Sequence, residues 1–206
     1  MATAERPEPF EFSGGALCLD LANTLGDRPQ GGSERLHDLA DFVRWCEQAG
    51  LIDGGEGDRL RAEAGRRPRA ARTAWRRVIE LRETIYGVFS AIAAGRGPRP
   101  GDLGALNRSL TRALPHQRIE ATGAGFVWTW APPSSGFDHL SWPVVRSAAE
   151  LLTSADAVRT RECAADTCGW LFIDRSRARR RRWCDMKICG NRAKARRHYR
   201  RLKQLG

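Results

Sequence analysis

Four cysteines in the last quarter of the chain constrain its fold more than any other feature. They read Cys163-x4-Cys168-x15-Cys184-x4-Cys189, two close pairs separated by one hairpin's length. A zinc ion takes four thiolates in a closed tetrahedron, and two turns about this far apart deliver them as two knuckles. Both pairs stand at the wide end of the usual spacing. Two disulfides are the alternative, and they fit poorly. The opening stretch, residues 1–9, is polar and partly acidic with no export signal, which points to a reducing cytoplasm. Four thiolates leave no open coordination position, so one structural zinc is expected rather than a catalytic one. Such an ion contributes about 10–16 kcal/mol to folding, and its loss is expected to melt this segment while residues 1–158 stay folded. Cys18 and Cys46 stand alone in apolar patterns and read as small buried hydrophobes.

Charge separates the same segment from the rest. Residues 1–158 hold 19 Arg and no Lys against 20 Asp and Glu, whereas residues 159–206 hold 16 Lys and Arg against 4 acids. The chain's formal charge of +11 therefore comes entirely from its last quarter. A near-neutral globular domain joined to a polyanion-binding module has this pattern. Arg outnumbers Lys throughout, but Lys187, Lys194 and Lys203 all fall in the basic segment. No apolar run approaches the ~18 residues of a membrane span.

The cations have an order. Trp170 to Ile173 is a short apolar β run, and the stretch behind it carries Arg175, Arg177, Arg179, Arg180, Arg181 and Arg182 before Trp183 returns to the second cysteine pair. From Gly190 the pattern is helical, with Asn191, Ala195, His198, Leu202 and Leu205 as one packing face. Arg192, Lys194, Arg196, Arg197, Arg200, Arg201 and Lys203 fill the rest of the circumference. The expected nucleic-acid contacts are Arg179 to Arg182 with Arg192, Lys194, Arg196, Arg197, Arg200 and Arg201. A zinc-anchored basic helix suits the major groove of double-stranded DNA or its phosphates. Trp170, Phe172, Trp183 and Tyr199 keep single-stranded RNA open as a partner, although shielding the zinc is the other use for most of them.

The stretch from Cys163 to Asp174, followed by Arg180 to Arg197 with Cys189-Gly190-Asn191-Arg192 at its centre, strongly resembles the CGNR zinc-finger family. Asp185 departs from it, standing where a serine commonly follows the third cysteine. Leu19-Asp20-Leu21-Ala22-Asn23-Thr24 looks like the opening motif of the ABATE domain, which usually precedes this finger. The resemblance implies a bacterial, stress-induced transcription regulator, with residues 1–158 as the ABATE-like domain and 159–206 as the finger.

Residues 10–24 suggest a short strand running into a turn or helix start. Helices are expected from Ser33 as a cap to about Gly50, over 58–64, over 69–94, from Asp102 to about Leu114, and over 143–158. Arg118 to Thr122 and Phe126 to Trp130 read as two strands about a Gly-Ala-Gly turn. The fold class is therefore α+β: a mostly helical N-terminal domain with a small antiparallel sheet, followed by a small four-cysteine finger of β-hairpin plus C-terminal helix.

No phosphate loop, zincin helix or nucleophile elbow is present, so no catalytic residue is expected and the chain does not read as an enzyme. Asp20 and Asn23 beside a strand end are candidates for a small-ligand pocket, with an Asx turn or cap as the alternative. The stripe Phe126, Trp128, Trp130 reads as core, with Trp128 in a ligand-lined pocket as its alternative. His37-Asp38 suits a capping role, and His116 and His139 have no partner nearby in sequence. Two functions remain open. One is a cytoplasmic DNA-binding regulator whose N-terminal domain senses a small effector or mediates assembly. The other is an RNA-binding factor or enzyme that uses the finger for docking. A module that meets an acidic protein is a third.

Overall fold

The longest apolar stripe in the sequence becomes the spine of the fold. A computed structural model describes residues 8–131 and 136–205, apart from the side chains of Arg197, His198, Arg200, Arg201, Leu202, Gln204 and Leu205. The spine, α4 (Pro68–Ala93), opens on a proline suited to a first helical turn and buries Val78, Leu81, Ile85, Val88 and Phe89. Against it lie α1 (Leu17–Ala22), α2 (Leu39–Gln48), α3 (Gly54–Arg66) and α5 (Pro100–Ala113). Helix α6 (Trp142–Thr153) closes the bundle against α1 and α5. Asp38 and Asp53 cap α2 and α3 by accepting from the backbone N–H groups of Asp41 and Glu56.

Two expectations change near the start of the chain. Residues 17–22 form α1 instead of following a strand. Cys18, Leu19, Asp20, Leu21 and Ala22 are all buried, so no exposed face gave the short run a readable period. Ser33 does not cap α2. It lies in β2 (Ser33–Glu34), which pairs antiparallel with β1 (Leu25–Gly26).

Strands β3 (Gln117–Thr122) and β4 (Gly125–Trp130) form an antiparallel hairpin with Ile119 opposite Trp128 and Ala121 opposite Phe126. The aromatic stripe is not core along its length. Trp130 packs into the bundle 5.7 Å from Trp142, but Phe126 is 80% exposed and Trp128 57%. Among the described residues the base of this two-stranded ribbon packs into the bundle through Trp130, while its tip stands exposed.

The finger begins with β5 (Thr160–Glu162) and β6 (Leu171–Ile173), antiparallel and joined through the first cysteine pair. Alternation along β6 splits its side chains. Leu171 and Ile173 enter the large core with α1 and α4, while Phe172 faces the cysteines. The last helix, α7 (Asn191–Leu205), follows the second pair. The fold is α+β as expected: a helical region with small antiparallel sheets, then a cysteine-cluster region with strands and a helix. Among the described residues no helix is long and apolar enough to cross a membrane.

Candidate metal centre and nucleic-acid interface

The first knuckle is shaped by backbone bonds. Cys163 N–H donates to Trp170 O at 2.8 Å, Cys168 N–H to Ala165 O at 3.0 Å, and Ala164 N–H to Arg182 O at 2.8 Å. Gly169 then turns the chain with φ +73°, and a Cβ there would lie 3.1 Å from the Cβ of Arg28. In the second knuckle Asp185 accepts from the N–H groups of Lys187 at 2.6 Å and Ile188 at 3.1 Å. This caps the wide turn Met186–Gly190 that runs into α7, so the acid at this departure from the family pattern has a local role. A Cβ on Gly190 would lie 2.5 Å from Met186 Sδ and 3.2 Å from Trp183 Cδ1, and the exposed Met186 side chain would have to move to admit it.

These turns bring the four Sγ atoms within 4.8 Å of one another, all buried. Cys184 Sγ lies 3.6 Å from the Sγ atoms of both Cys168 and Cys189. A disulfide needs about 2.05 Å. A tetrahedron with Zn–S bonds of about 2.3 Å has edges of about 3.8 Å. Without a cation one thiolate is favoured and the other three are opposed: hydrogen bonds from Cys168 and Cys184 pull the Cys163 thiol down and push theirs up, and burial pushes Cys189 up. The donor set fits one structural Zn2+. Cys163, Cys168, Cys184 and Cys189 hold it, and its contribution is folding free energy. Trp170, Trp183 and the fully buried Phe172 shield the cluster.

The basic loop is held from inside by Asp174, 1% exposed, which accepts from Ser176 N–H at 2.9 Å and Arg181 N–H at 3.0 Å. Burial opposes its charge, but a bond from the Ser176 hydroxyl together with these two wins and holds its carboxyl below the usual range. Among the expected contacts, Arg181 is exposed but already engaged within the finger. Its guanidinium lies 4.4 Å over Phe172 and donates to the carbonyls of Trp183 and Cys184, so it braces the knuckle.

Arg179 and Arg180 are exposed, as is Lys194 on α7. Arg182, 5.2 Å over the Trp183 ring, joins Arg192 and Arg196 around one cleft beside the first knuckle. Arg192 reaches Thr167 Oγ1 at 3.4 Å and Arg196 lies 3.6 Å from Asp166. The side chains of Arg197, Arg200 and Arg201 lie outside the described residues, as do those of His198, Leu202 and Leu205. Asn191 and Ala195, expected on the packing face, are exposed, and Ala193 is the half-buried residue beside the first knuckle. Lys187 in the second knuckle is exposed as well; its place among the three lysines of the basic segment was the available signal.

The three residues expected at a pocket, Asp20, Asn23 and Trp128, are not brought together. Asp20 is buried in α1, where its Oδ1 accepts from Gly14 N–H at 2.8 Å and burial pushes its carboxyl up to about 6. Asn23 is spent on Leu171, donating through Nδ2 at 2.9 Å and accepting through Oδ1 at 2.8 Å. Trp128 lies on the exposed hairpin with Arg146 5.0 Å over its ring. The first two are structural, and the third lines no shared site with them. A buried network went unseen in the sequence. Arg82, 2% exposed, makes two bonds to Glu34 at 2.6 and 2.8 Å and one to Glu83 at 2.8 Å, and Glu83 also pairs with Arg28.

The ABATE family model, described as "Putative stress-induced transcription regulator", matches residues 15–155, and the CGNR zinc-finger model matches residues 159–202. No curated protein matches the chain. The longer match covers more than half of the residues and begins just before the Leu19–Thr24 motif now seen in α1 and its end, so the chain belongs to the ABATE family and carries a CGNR zinc finger.

Proposed function

We propose that this protein is a cytoplasmic transcription regulator that binds double-stranded DNA through the zinc-fixed knuckles, the arginine loop and α7. The ABATE region, residues 1–158, then senses a small molecule or mediates assembly, and residues 159–206 form the DNA-reading unit. The observation that carries this reading is the convergence of Arg182, Arg192 and Arg196 beside the first knuckle, with Arg179, Arg180, Lys187 and Lys194 exposed elsewhere in the same segment. Of the acids of this segment, Asp166 alone pairs with one of them among the described residues. Asp174 is buried in the loop, Glu162 bonds Ser90 and Asp185 caps its own turn, leaving Asp166 beside Arg196. Phosphates attract such a surface whatever the sequence, and arginines that reach guanine edges add specificity. Duplex is favoured over single-stranded RNA because Trp170, Phe172 and Trp183 pack against the cysteines rather than being offered as stacking platforms, and of the four aromatics Tyr199 alone is largely exposed.

The test is binding of labelled duplex to zinc-loaded protein across a salt series, repeated with single-stranded RNA. About six phosphate contacts give a slope of log K against log salt of roughly −5. Firm RNA binding with weak duplex binding would move the function to RNA. Binding to neither would make an acidic protein the partner.

A further inference from the structure

The spine helix has a second use on the side away from the finger. Helices α4, α5 and α6 enclose a cleft of about 400 Å³, within the size range of small-molecule sites of roughly 300–1,000 Å³. Its apolar lining comes from Leu81, Val145 and Trp142, and His116 stacks on the Trp142 indole at 4.2 Å and 9°. Arg108 and Arg112, one turn apart on α5, line it as well, both exposed and neither paired with a carboxylate among the described residues. Arg77 also borders the cleft but is neutralised by Asp138 at 2.7 Å. Against the single remaining acid, Glu80, two free guanidiniums leave the cleft net positive.

We infer that this cleft binds a small aromatic carboxylate, its ring on the Leu81–Trp142–Val145 surface and its carboxylate between Arg108 and Arg112. The planar guanidinium fork matches a carboxylate through two parallel hydrogen bonds, and the stacked His116–Trp142 pair offers a flat wall to a ring. The role as effector rests on the regulator reading; the binding itself does not. The same α4 that lines the cleft through Leu81 carries Arg82, Glu83 and Tyr86. Arg82 and Glu83 bond into the network with Glu34 and Arg28, and Gly169 packs against Arg28 and Tyr86. Cleft and finger therefore share one rigid element.

The test is calorimetric titration of the zinc-loaded full chain with benzoate, indole-3-carboxylate and 1-naphthoate, each beside its neutral amide, and with inorganic phosphate. The expected result is saturable binding of at least one carboxylate with Kd on the order of 1 mM or tighter, its amide and phosphate at least tenfold weaker. The Arg108→Gln/Arg112→Gln variant should lose at least tenfold, whereas Arg59→Gln/Arg66→Gln on α3 should bind as the parent does. Both substitute exposed residues, and zinc content with circular dichroism checks folding. No saturable binding up to about 10 mM, equal binding of amide or phosphate, or indifference to the α5 substitutions would each overturn the site. Duplex affinity is measured separately. Carboxylate binding without any duplex binding would keep the site and overturn its role in a DNA regulator.

Discussion

The side-chain amide of Asn23 imitates a strand partner for Leu171. It donates to the Leu171 carbonyl at 2.9 Å and accepts from the Leu171 N–H at 2.8 Å, across 148 residues of sequence. β6 has β5 on one edge, and on the other this one side chain satisfies the backbone pair that the edge would leave open. The residue that ends α1 in the family's opening motif is thereby tied to the strand that follows the first zinc knuckle.

Asn23→Ala removes both bonds and strands a buried N–H and C=O. Each such group costs about 1–3 kcal/mol, so a loss of about 2–6 kcal/mol is expected in urea unfolding. Asn23→Asp keeps the acceptor, but its second oxygen faces the Leu171 carbonyl, and it should not rescue. Stability within about 0.5 kcal/mol of the parent in either variant would show that the pairing contributes little.

Zinc loss should reach beyond the finger. The sequence suggested a segment that melts alone, but Leu171 and Ile173 are part of the large core, and β5 and β6 both pack on α4. A structural zinc is worth about 10–16 kcal/mol, comparable to the whole stability of a domain. Cys184→Ser, or chelation of the parent protein, should therefore abolish ordered β6 and lower the melting temperature of the helical bundle as well. Hydrogen exchange resolves the two: amides of 171–173 and of α1 should lose protection together. An unchanged α1 would restore the picture of a separately melting finger.

Much of this architecture was readable, and the failures share a cause. The α4 stripe and the cysteine spacing are periodic or local signals, so helix and metal site followed from residues close in sequence. Alternation at Phe126, Trp128 and Trp130 identified β4 correctly but not what covers it, because a strand pattern does not say whether a helix lies opposite. Asp20 and Asn23 read as pocket candidates beside a strand end. That their partners are Gly14 N–H and the Leu171 backbone depends on chain reversal and on a contact across the whole fold. The cleft draws on three helices and has no linear signature.

Asp20 makes stability depend on pH in an unusual direction. Burial raises its folded pKa from 3.8 to about 6, with the Gly14 hydrogen bond working the other way. The protonated form is therefore favoured by folding. Its contribution is full below pH 3.8, and it fades as pH rises through about 6. At pH 5, where zinc binding is easier to maintain than at lower pH, about one pKa unit, or roughly 1.4 kcal/mol, remains; at pH 8 almost none does. Asp20→Asn keeps a neutral acceptor for Gly14. Its stability relative to the parent should rise by about that 1.4 kcal/mol between pH 5 and pH 8. Paired urea titrations check this, since zinc release affects both proteins alike. A pH-independent difference would remove the assignment.

The arginines of the loop should divide by where their guanidiniums lie. Arg181 is directed inward over Phe172 and onto the carbonyls of Trp183 and Cys184, whereas Arg182 and Arg196 line the cleft beside the first knuckle. Arg181→Ala should therefore weaken zinc retention and finger stability, with any loss of duplex affinity following from that. Arg182→Ala and Arg196→Ala should leave zinc content and unfolding within about 0.5 kcal/mol of the parent. If each side chain meets a phosphate, each substitution should also make the salt slope shallower by about 0.9. Stoichiometric zinc release measured beside the salt series separates the two effects. Should Arg181→Ala keep its zinc and lose only the slope, the inward assignment fails. If Arg182→Ala and Arg196→Ala leave both measurements unchanged, the proposed DNA surface lies elsewhere on the finger.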